Sequence, residues 1–198
     1  MKEIIVATTN QGKIAEMVLA LGDLPVQVLD LSSFEDIPKP VEDGESFVAN
    51  ALKKANYYAL HTGKACLADD SGLEVDALNG APGVYSARFA GEDATDDQNN
   101  QRLLQELKGV GPEQRTARFR CVLAFVDTNG KTITAAGVRE GVIAEEQCGS
   151  GGFGYDPLFY MPDQKKTMAQ CSKTEKNAMS HRGQALKAMT GMLKEYLK

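Results

Sequence analysis

A chain of 198 residues, 42% hydrophobic and 25% charged, has the balance of an ordinary globular protein and is long enough to bury a core within one domain. Its 22 Lys and Arg against 27 Asp and Glu give a net charge of −5, which disfavours a grip on a nucleic-acid polymer. A small anionic substrate is still allowed where a few cations and a metal converge on it. No apolar run is long enough to span a bilayer, and the opening Met1-Lys2-Glu3-Ile4 lacks a signal-peptide pattern, so no membrane role and a cytoplasmic location are expected. Cys66, Cys121, Cys148 and Cys171 are too widely spaced for a zinc site or a disulfide framework, and free buried thiols are expected.

Along the chain, residues 3–8 read as a buried strand, followed by a helix to Leu21 with Ile14, Met17, Val18 and Leu21 at helical spacing. A short strand over 26–29 follows a proline, and the Pro-rich acidic stretch 31–44 predicts a loop. From Ser46 a helix repeats Phe47, Ala51, Ala55, Tyr58 and Ala59 along one face. An apolar strand over 64–68 then runs into Asp69-Asp70-Ser71-Gly72. The segment 95–107 predicts a polar helix with Leu103, Leu104 and Leu107 inward, opened by a capping box of Thr95 and Gln98. Strands over 116–127 and 131–144 flank Asn129-Gly130, a strong hairpin signal. The last helix, starting near Ser180, carries Leu186, Met189, Leu193 and Leu197. These elements predict an α/β protein with a mixed sheet, one domain over 1–198. The hairpin, roughly 116–146, builds a second lobe, and the cleft between lobes is the natural ligand site.

Three clusters carry chemistry. Thr8-Thr9-Asn10-Gln11-Gly12-Lys13 spans a strand-to-helix turn, whose unpaired N–H groups suit phosphate, with Lys13 adding a mobile charge. It is not a Walker A loop, because Ala7 and Ile14 stand where that motif needs Gly and Ser/Thr. Taken alone, these residues favour an ordinary helix start with an exposed lysine. In Asp69-Asp70-Ser71-Gly72, two adjacent carboxylates after a buried strand need compensation. Their side chains point to opposite faces of a strand, so one can meet a metal while the other braces the turn. Magnesium prefers a few carboxylates with phosphate oxygens and water, and Glu42, Asp43 and Glu45 lie in or beside the acidic loop; a solvated acidic turn accounts for the cluster equally well. Gly151-Gly152-Phe153-Gly154-Tyr155-Asp156-Pro157 is either a tight turn or an aromatic pair framed for a flat base. His181-Arg182 offers donors for oxygen acceptors, although a lone His-Arg at a helix start is more often surface than site.

Thr8-x-Asn10-x-x-Lys13, Ala68-Asp69-Asp70-Ser71-Gly72-Leu73, Ala81-Pro82-Gly83-Val84-Tyr85-Ser86-Ala87-Arg88, Phe153-Gly154-Tyr155-Asp156-Pro157 and Ser180-His181-Arg182-Gly183 occur in this order. Together they resemble the inosine triphosphate pyrophosphatase family, also called Ham1-like, in its bacterial dITP/XTP pyrophosphatase form. The resemblance implies an elongated, two-lobed α/β fold with a long mixed sheet flanked by helices, and a homodimer. It implies magnesium-dependent hydrolysis of ITP, dITP, XTP and dXTP between the α and β phosphates, giving a nucleoside monophosphate and pyrophosphate and keeping these purines out of DNA and RNA. Carried over by motif, Thr8, Thr9, Asn10, Gln11, Gly12 and Lys13 bind the triphosphate, and Glu42 and Asp70 hold magnesium. Asp70 also accepts the proton of the attacking water, with Ser71 beside it. Phe153, Gly154, Tyr155, Asp156, Lys176, His181 and Arg182 bind the nucleotide. Met168-Ala169-Gln170-Cys171 departs from the family pattern, where an acidic residue and a leucine are common, but touches none of these positions. The alternatives are a Maf-like pyrophosphatase for modified bases and a nucleotide sensor without turnover.

Overall fold

The computed structural model describes residues 1–34 and 37–198, so part of the loop predicted over 31–44 lies outside the described residues. Strand β1 (Lys2–Val6) leads into helix α1 (Gln11–Leu21), strand β2 (Val26–Asp30), helix α2 (Phe47–Thr62) and strand β3 (Ala65–Val75). Helix α3 (Asp96–Glu106) precedes the long strands β4 (Thr116–Val126) and β5 (Thr132–Ile143), then the short strands β6 (Phe159–Met161) and β7 (Lys166–Thr167), and helices α4 (Lys173–Met179) and α5 (His181–Tyr196). The seven strands form a mixed sheet in the order β2-β1-β3-β4-β5-β6-β7. β1 runs parallel to both β2 and β3, whereas β6 is antiparallel to β5 and β7. The protein is therefore of the α/β class. Among the described residues no helix is long and apolar enough to cross a membrane.

Local chemistry explains several element ends. Asn10, Ser46 and Thr95 cap α1, α2 and α3 with side-chain oxygens, and Thr95 closes the expected capping box with Gln98. α2 stops at Gly63, whose left-handed φ of 63° suits a residue without a Cβ. The Asp127-to-Lys131 turn joins β4 and β5 as its Asn-Gly pair predicted, with Gly130 at φ 85°.

The chain folds as two compact units, one of Met1–Asp70, Cys121–Gly137 and Arg182–Lys198, the other of Ser71–Arg120 and Val138–His181. The strands of the predicted hairpin contribute to both. The first unit packs Ile4, Val6, Met17, Leu21, Leu67 and Phe125 with Met189 and Leu193 of α5. The second packs Leu73, Val75, Leu103, Leu107, Phe119 and Phe159.

Several expectations are corrected. β3 does not end before the acidic pair but continues through Asp69, Asp70 and Ser71 to Val75, because the carboxylates find partners inside the fold. The short helix α4, not expected from the sequence, precedes the final helix; Ser180, extended at ψ 159°, separates the two, and α5 starts at His181, where the sequence placed it. Val18 is 43% exposed, since α1 turns the Met17 and Leu21 side to the core. Of the four cysteines, all free thiols, Cys66 and Cys121 are buried but Cys148 is exposed and Cys171 only partly covered.

Candidate active site

In the first unit, β1 delivers the chain to Thr8, whose Oγ1 accepts from the Asn10 N–H at 3.2 Å. Asn10 Oδ1 in turn accepts from the Lys13 N–H at 3.1 Å, which fixes the start of α1. Thr9, Asn10, Gln11 and Gly12 are exposed. The N–H groups of Gln11 and Gly12 open α1 and have no carbonyl four residues back within the helix, which leaves donors for an anion at the positive end of the dipole.

Lys13 does not extend into solvent. Its Nζ lies 2.8 Å from Asp69 Oδ2, and the same oxygen is 3.5 Å from Arg182 Nη2. Arg182, 1% exposed, also places Nη1 3.1 Å from Glu16 Oε2 of α1. Asp69 is itself 1% exposed. Burial alone would push its carboxyl up, but Lys13, Arg182 and Lys54 outweigh that and hold it well below the usual carboxylate range. The expected bracing role thus has a concrete form: a buried anion that aims two cations.

The neighbouring carboxylate is treated differently. Asp70, 7% exposed, has Oδ1 3.5 Å from Lys54 Nζ, and Lys54 Nζ is 2.9 Å from Glu42 Oε2. The lysine of α2 therefore stands between the two carboxylates expected to hold a metal. Burial pushes Asp70 up; Lys54 and the Asn50 amide pull it down, Glu42 and Asp69 push it up again, and the balance leaves it raised. Asp70 Oδ2 and Asn50 Nδ2 are both buried outside hydrogen-bond geometry. Burial pulls the Lys54 ammonium down, but Asp69, Asp70 and Glu42 outweigh it, so it stays charged. Among the described residues no group of three or more His, Cys, Asp or Glu side chains is arranged to hold a metal. The donor set is two carboxylates, one with an unmatched buried oxygen, which suits a hard cation that shares its remaining positions with phosphate and water.

The second unit holds the other predicted residues. Asp156, buried, accepts from the Phe153 N–H at 2.9 Å and pairs with Lys176 of α4 through the same Oδ2. Lys176 Nζ sits 4.3 Å from the centre of the Phe153 ring, a cation–π contact. Tyr155 is buried, and its hydroxyl donates to the Ser86 carbonyl at 2.8 Å. Phe153 is thus the aromatic of the pair that keeps exposed surface. His181 stacks on Phe119 with ring centres 4.8 Å apart and an interplanar angle of 18°. Ser71, partly buried, is also assigned to this unit.

The sequence motifs therefore assemble as two clusters: Thr8 to Lys13, Glu42, Asp70 and Arg182 in one unit, and Phe153 to Asp156, Lys176 and His181 in the other. His181 and Arg182, adjacent in sequence, fall on different sides of that division. Two charged participants were not singled out from the sequence, Lys54 and Glu16. Lys54 had a readable signal: it occupies the buried stripe of α2 with Phe47, Ala51, Ala55 and Tyr58, where an unpaired ammonium would be costly.

Comparison with known proteins agrees along the whole chain. Residues 4–192 match the Ham1 family. The dITP/XTP pyrophosphatase of Desulforamulus reducens is 53% identical over 185 residues, 93% of this chain and 92% of its own. That of Geobacter sulfurreducens is 50% identical over 197 residues, 100% of this chain and 97% of its own. Among solved structures, a HAM1 protein from Coxiella burnetii superposes with a TM-score of 0.92 at 45% identity, over 98% of this chain and 100% of that one. The Staphylococcus aureus Ham1 protein gives 0.89 at 41% identity, over 98% and 100%.

Proposed function

The chain belongs to the Ham1 family, and we propose that it hydrolyses non-canonical purine nucleoside triphosphates, ITP, dITP, XTP and dXTP, to the monophosphate and pyrophosphate. The observation that carries this reading is the pair of unlike buried carboxylates on β3. Asp69 is spent on cations, whereas Asp70 is under-compensated, proton-hungry and joined through Lys54 to Glu42. A carboxylate in that condition is suited to take a proton from an attacking water.

In this reading the N–H groups of Gln11 and Gly12 and the Lys13 ammonium bind the triphosphate. Phe153 lays an aromatic face against the purine, and donors of segment 153–156 meet its 6-oxo group. Glu42 and Asp70 would hold magnesium, which when bound supplies a Lewis acid at the phosphoryl oxygens and favours ionisation of water. Asp70 accepts the proton as the water oxygen bonds to phosphorus. The bond from phosphorus to the oxygen bridging the α and β phosphates breaks, and that oxygen leaves with the pyrophosphate. Lys13 neutralises the charge that develops there, at a location set by Asp69. Lys54 acts as an internal counter-ion for Glu42 and Asp70, the two carboxylates that would hold the metal.

The same reading includes a homodimer and action on the free nucleotide pool of the cytosol. Its test is a coupled pyrophosphate assay with ITP, with and without magnesium. Pyrophosphate in the presence of the metal and none after chelation is expected; turnover of ITP to IDP and orthophosphate would overturn the bond assignment.

A further inference from the structure

The proposed reading of segment 153–156 as the base site raises a question of polarity. A purine 6-oxo group needs a donor and a 6-amino group an acceptor, and a peptide offers one or the other according to which way it faces. Carbonyl and N–H of one trans peptide point in opposite directions, so rotating the peptide by half a turn exchanges them. Gly154 makes such rotation easy. Its φ is 62°, in the left-handed region, and nothing lies within 4 Å of where a Cβ would stand. Left to itself, this loop would present donor and acceptor in turn.

Two side chains of α3 prevent this. Asp96 Oδ2 accepts from the Gly154 N–H at 2.6 Å, and Asn100 Nδ2 donates to the Gly154 carbonyl at 2.9 Å. The two residues are one helical turn apart and so share a face. One holds the peptide before Gly154 and the other the peptide after it. Asn100 is 1% exposed, and neighbouring Asn99 accepts from the Ala90 N–H at 2.8 Å and donates to the Ala87 carbonyl at 3.2 Å, which anchors the face that carries the clamp. The consequence for the loop is specific. The Phe153 N–H goes to Asp156, the Gly154 N–H goes to Asp96, and the Tyr155 N–H, pointing opposite to the carbonyl that Asn100 holds, has no acceptor among the described residues.

We propose that Asp96 and Asn100 are positioning residues that lock both peptides of Gly154, so that the base loop offers a fixed donor to the purine 6-position and cannot turn a carbonyl toward a 6-amino group. They act through the backbone rather than by touching the nucleotide. Discrimination against adenine then resides partly in a helix that carries none of the residues assigned to the site.

The test compares wild type with Asp96→Ala, Asp96→Asn, Asn100→Ala and the control Asp97→Ala. Asp97 is also exposed in the first turn of α3, so its loss removes the same favourable charge at the helix N-terminus without touching Gly154. In ligand-free protein, hydrogen exchange of the Gly154 amide should quicken at least about tenfold in Asp96→Ala and stay at the wild-type rate in Asp97→Ala. In steady-state assays with ITP and ATP, Asp96→Ala and Asn100→Ala should lower the ITP-to-ATP ratio of kcat/KM about tenfold, mostly by raising KM for ITP. Asp96→Asn, which keeps an acceptor for the Gly154 N–H, should recover most of the ratio. The inference is overturned if the exchange rate and the ratio stay at wild-type values in Asp96→Ala, or if Asp97→Ala moves them equally. Because Asp96 is exposed, its variants decide the matter even if Asn100→Ala does not fold. Failure of wild type to turn over ITP would instead sink the proposed function, with the exchange arm still deciding whether the clamp exists.

Discussion

The two units handle buried polar groups in opposite ways. In the first, charge is concentrated: Asp69, Asp70, Lys13, Lys54 and Arg182 form contacts of 2.8 to 3.5 Å, with Asp69 held low and Asp70 raised. In the second, the loop over 153–156 is held by neutral or backbone-directed hydrogen bonds, and the ion pair of Lys176 with Asp156 is tied to the Phe153 N–H as well. The contrast separates two tasks. Proton transfer needs a group kept away from its comfortable protonation state, and the first unit maintains one by withholding partners from Asp70 Oδ2. Recognition of a base needs fixed donors and acceptors, and the second unit supplies them by tying the peptide groups of Phe153 and Gly154 to Asp156, Asp96 and Asn100.

The sharpest way to break this contrast is to neutralise each β3 carboxylate in turn. Asp70→Asn should lower kcat about 10³-fold or more, since it removes a base and a metal charge together. The same change should leave the melting temperature unchanged or raise it, because the charged form it replaces is disfavoured by burial. Asp69→Asn should do the reverse in stability, losing about 3–5 kcal/mol by leaving Lys13 and Arg182 without their shared anion. Thermal melts of both variants beside their kcat values check the pair; equal destabilisation would erase the distinction between them.

Lys13→Ala comes next in size. It should raise KM for ITP by the equivalent of about 1.5–3 kcal/mol, one charge-assisted contact, with a smaller change in kcat. Unchanged KM and kcat would remove Lys13 from the site.

These two residues also mark how far the sequence could be read. The acidic pair on opposite faces of a strand, the capped start of α1 and the Thr95–Gln98 box were legible because each depends on spacing within a few residues. The partners of Asp69 were not, since Lys13 lies 56 positions away and Arg182 lies 113. Lys54 was passed over for a related reason: its helix was read by its apolar members, and a lysine among them makes sense only once Glu42 and Asp70 are seen around it. The continuation of β3 to Val75 is likewise set by partners distant in sequence. The five ordered motifs indicated the family, whereas the clamp on Gly154 lies outside all of them.

A smaller effect tests whether charge pairing in the first unit is confined to the site. Asp127, buried at the β4–β5 turn, pairs with Lys2 and accepts from the Tyr196 hydroxyl. Burial pushes its carboxyl up, but these partners outweigh it, and the folded value is lowered. A lowered carboxyl contributes stability above its unfolded value of about 3.9, and that stability is lost as pH falls through the folded value. Asp127→Asn should therefore cost about 1–3 kcal/mol at neutral pH. The gap from wild type should close as pH falls below about 4, with activity unchanged at neutral pH. Denaturant melts between neutral pH and pH 3 read this directly, and a gap that widens with acid would reverse the assigned sign.

The measurement that bears most directly on the account is the identity and rate of the products from ITP, XTP, GTP and ATP at matched magnesium. The account predicts a monophosphate and pyrophosphate in equal amounts, with kcat/KM for ITP and XTP roughly 10⁴-fold or more above that for ATP, the range that a mismatched buried hydrogen-bonding group supports. GTP also carries a 6-oxo group, so its rejection has to come from its 2-amino group. Comparable turnover of ITP and ATP, or release of orthophosphate in place of pyrophosphate, would contradict it.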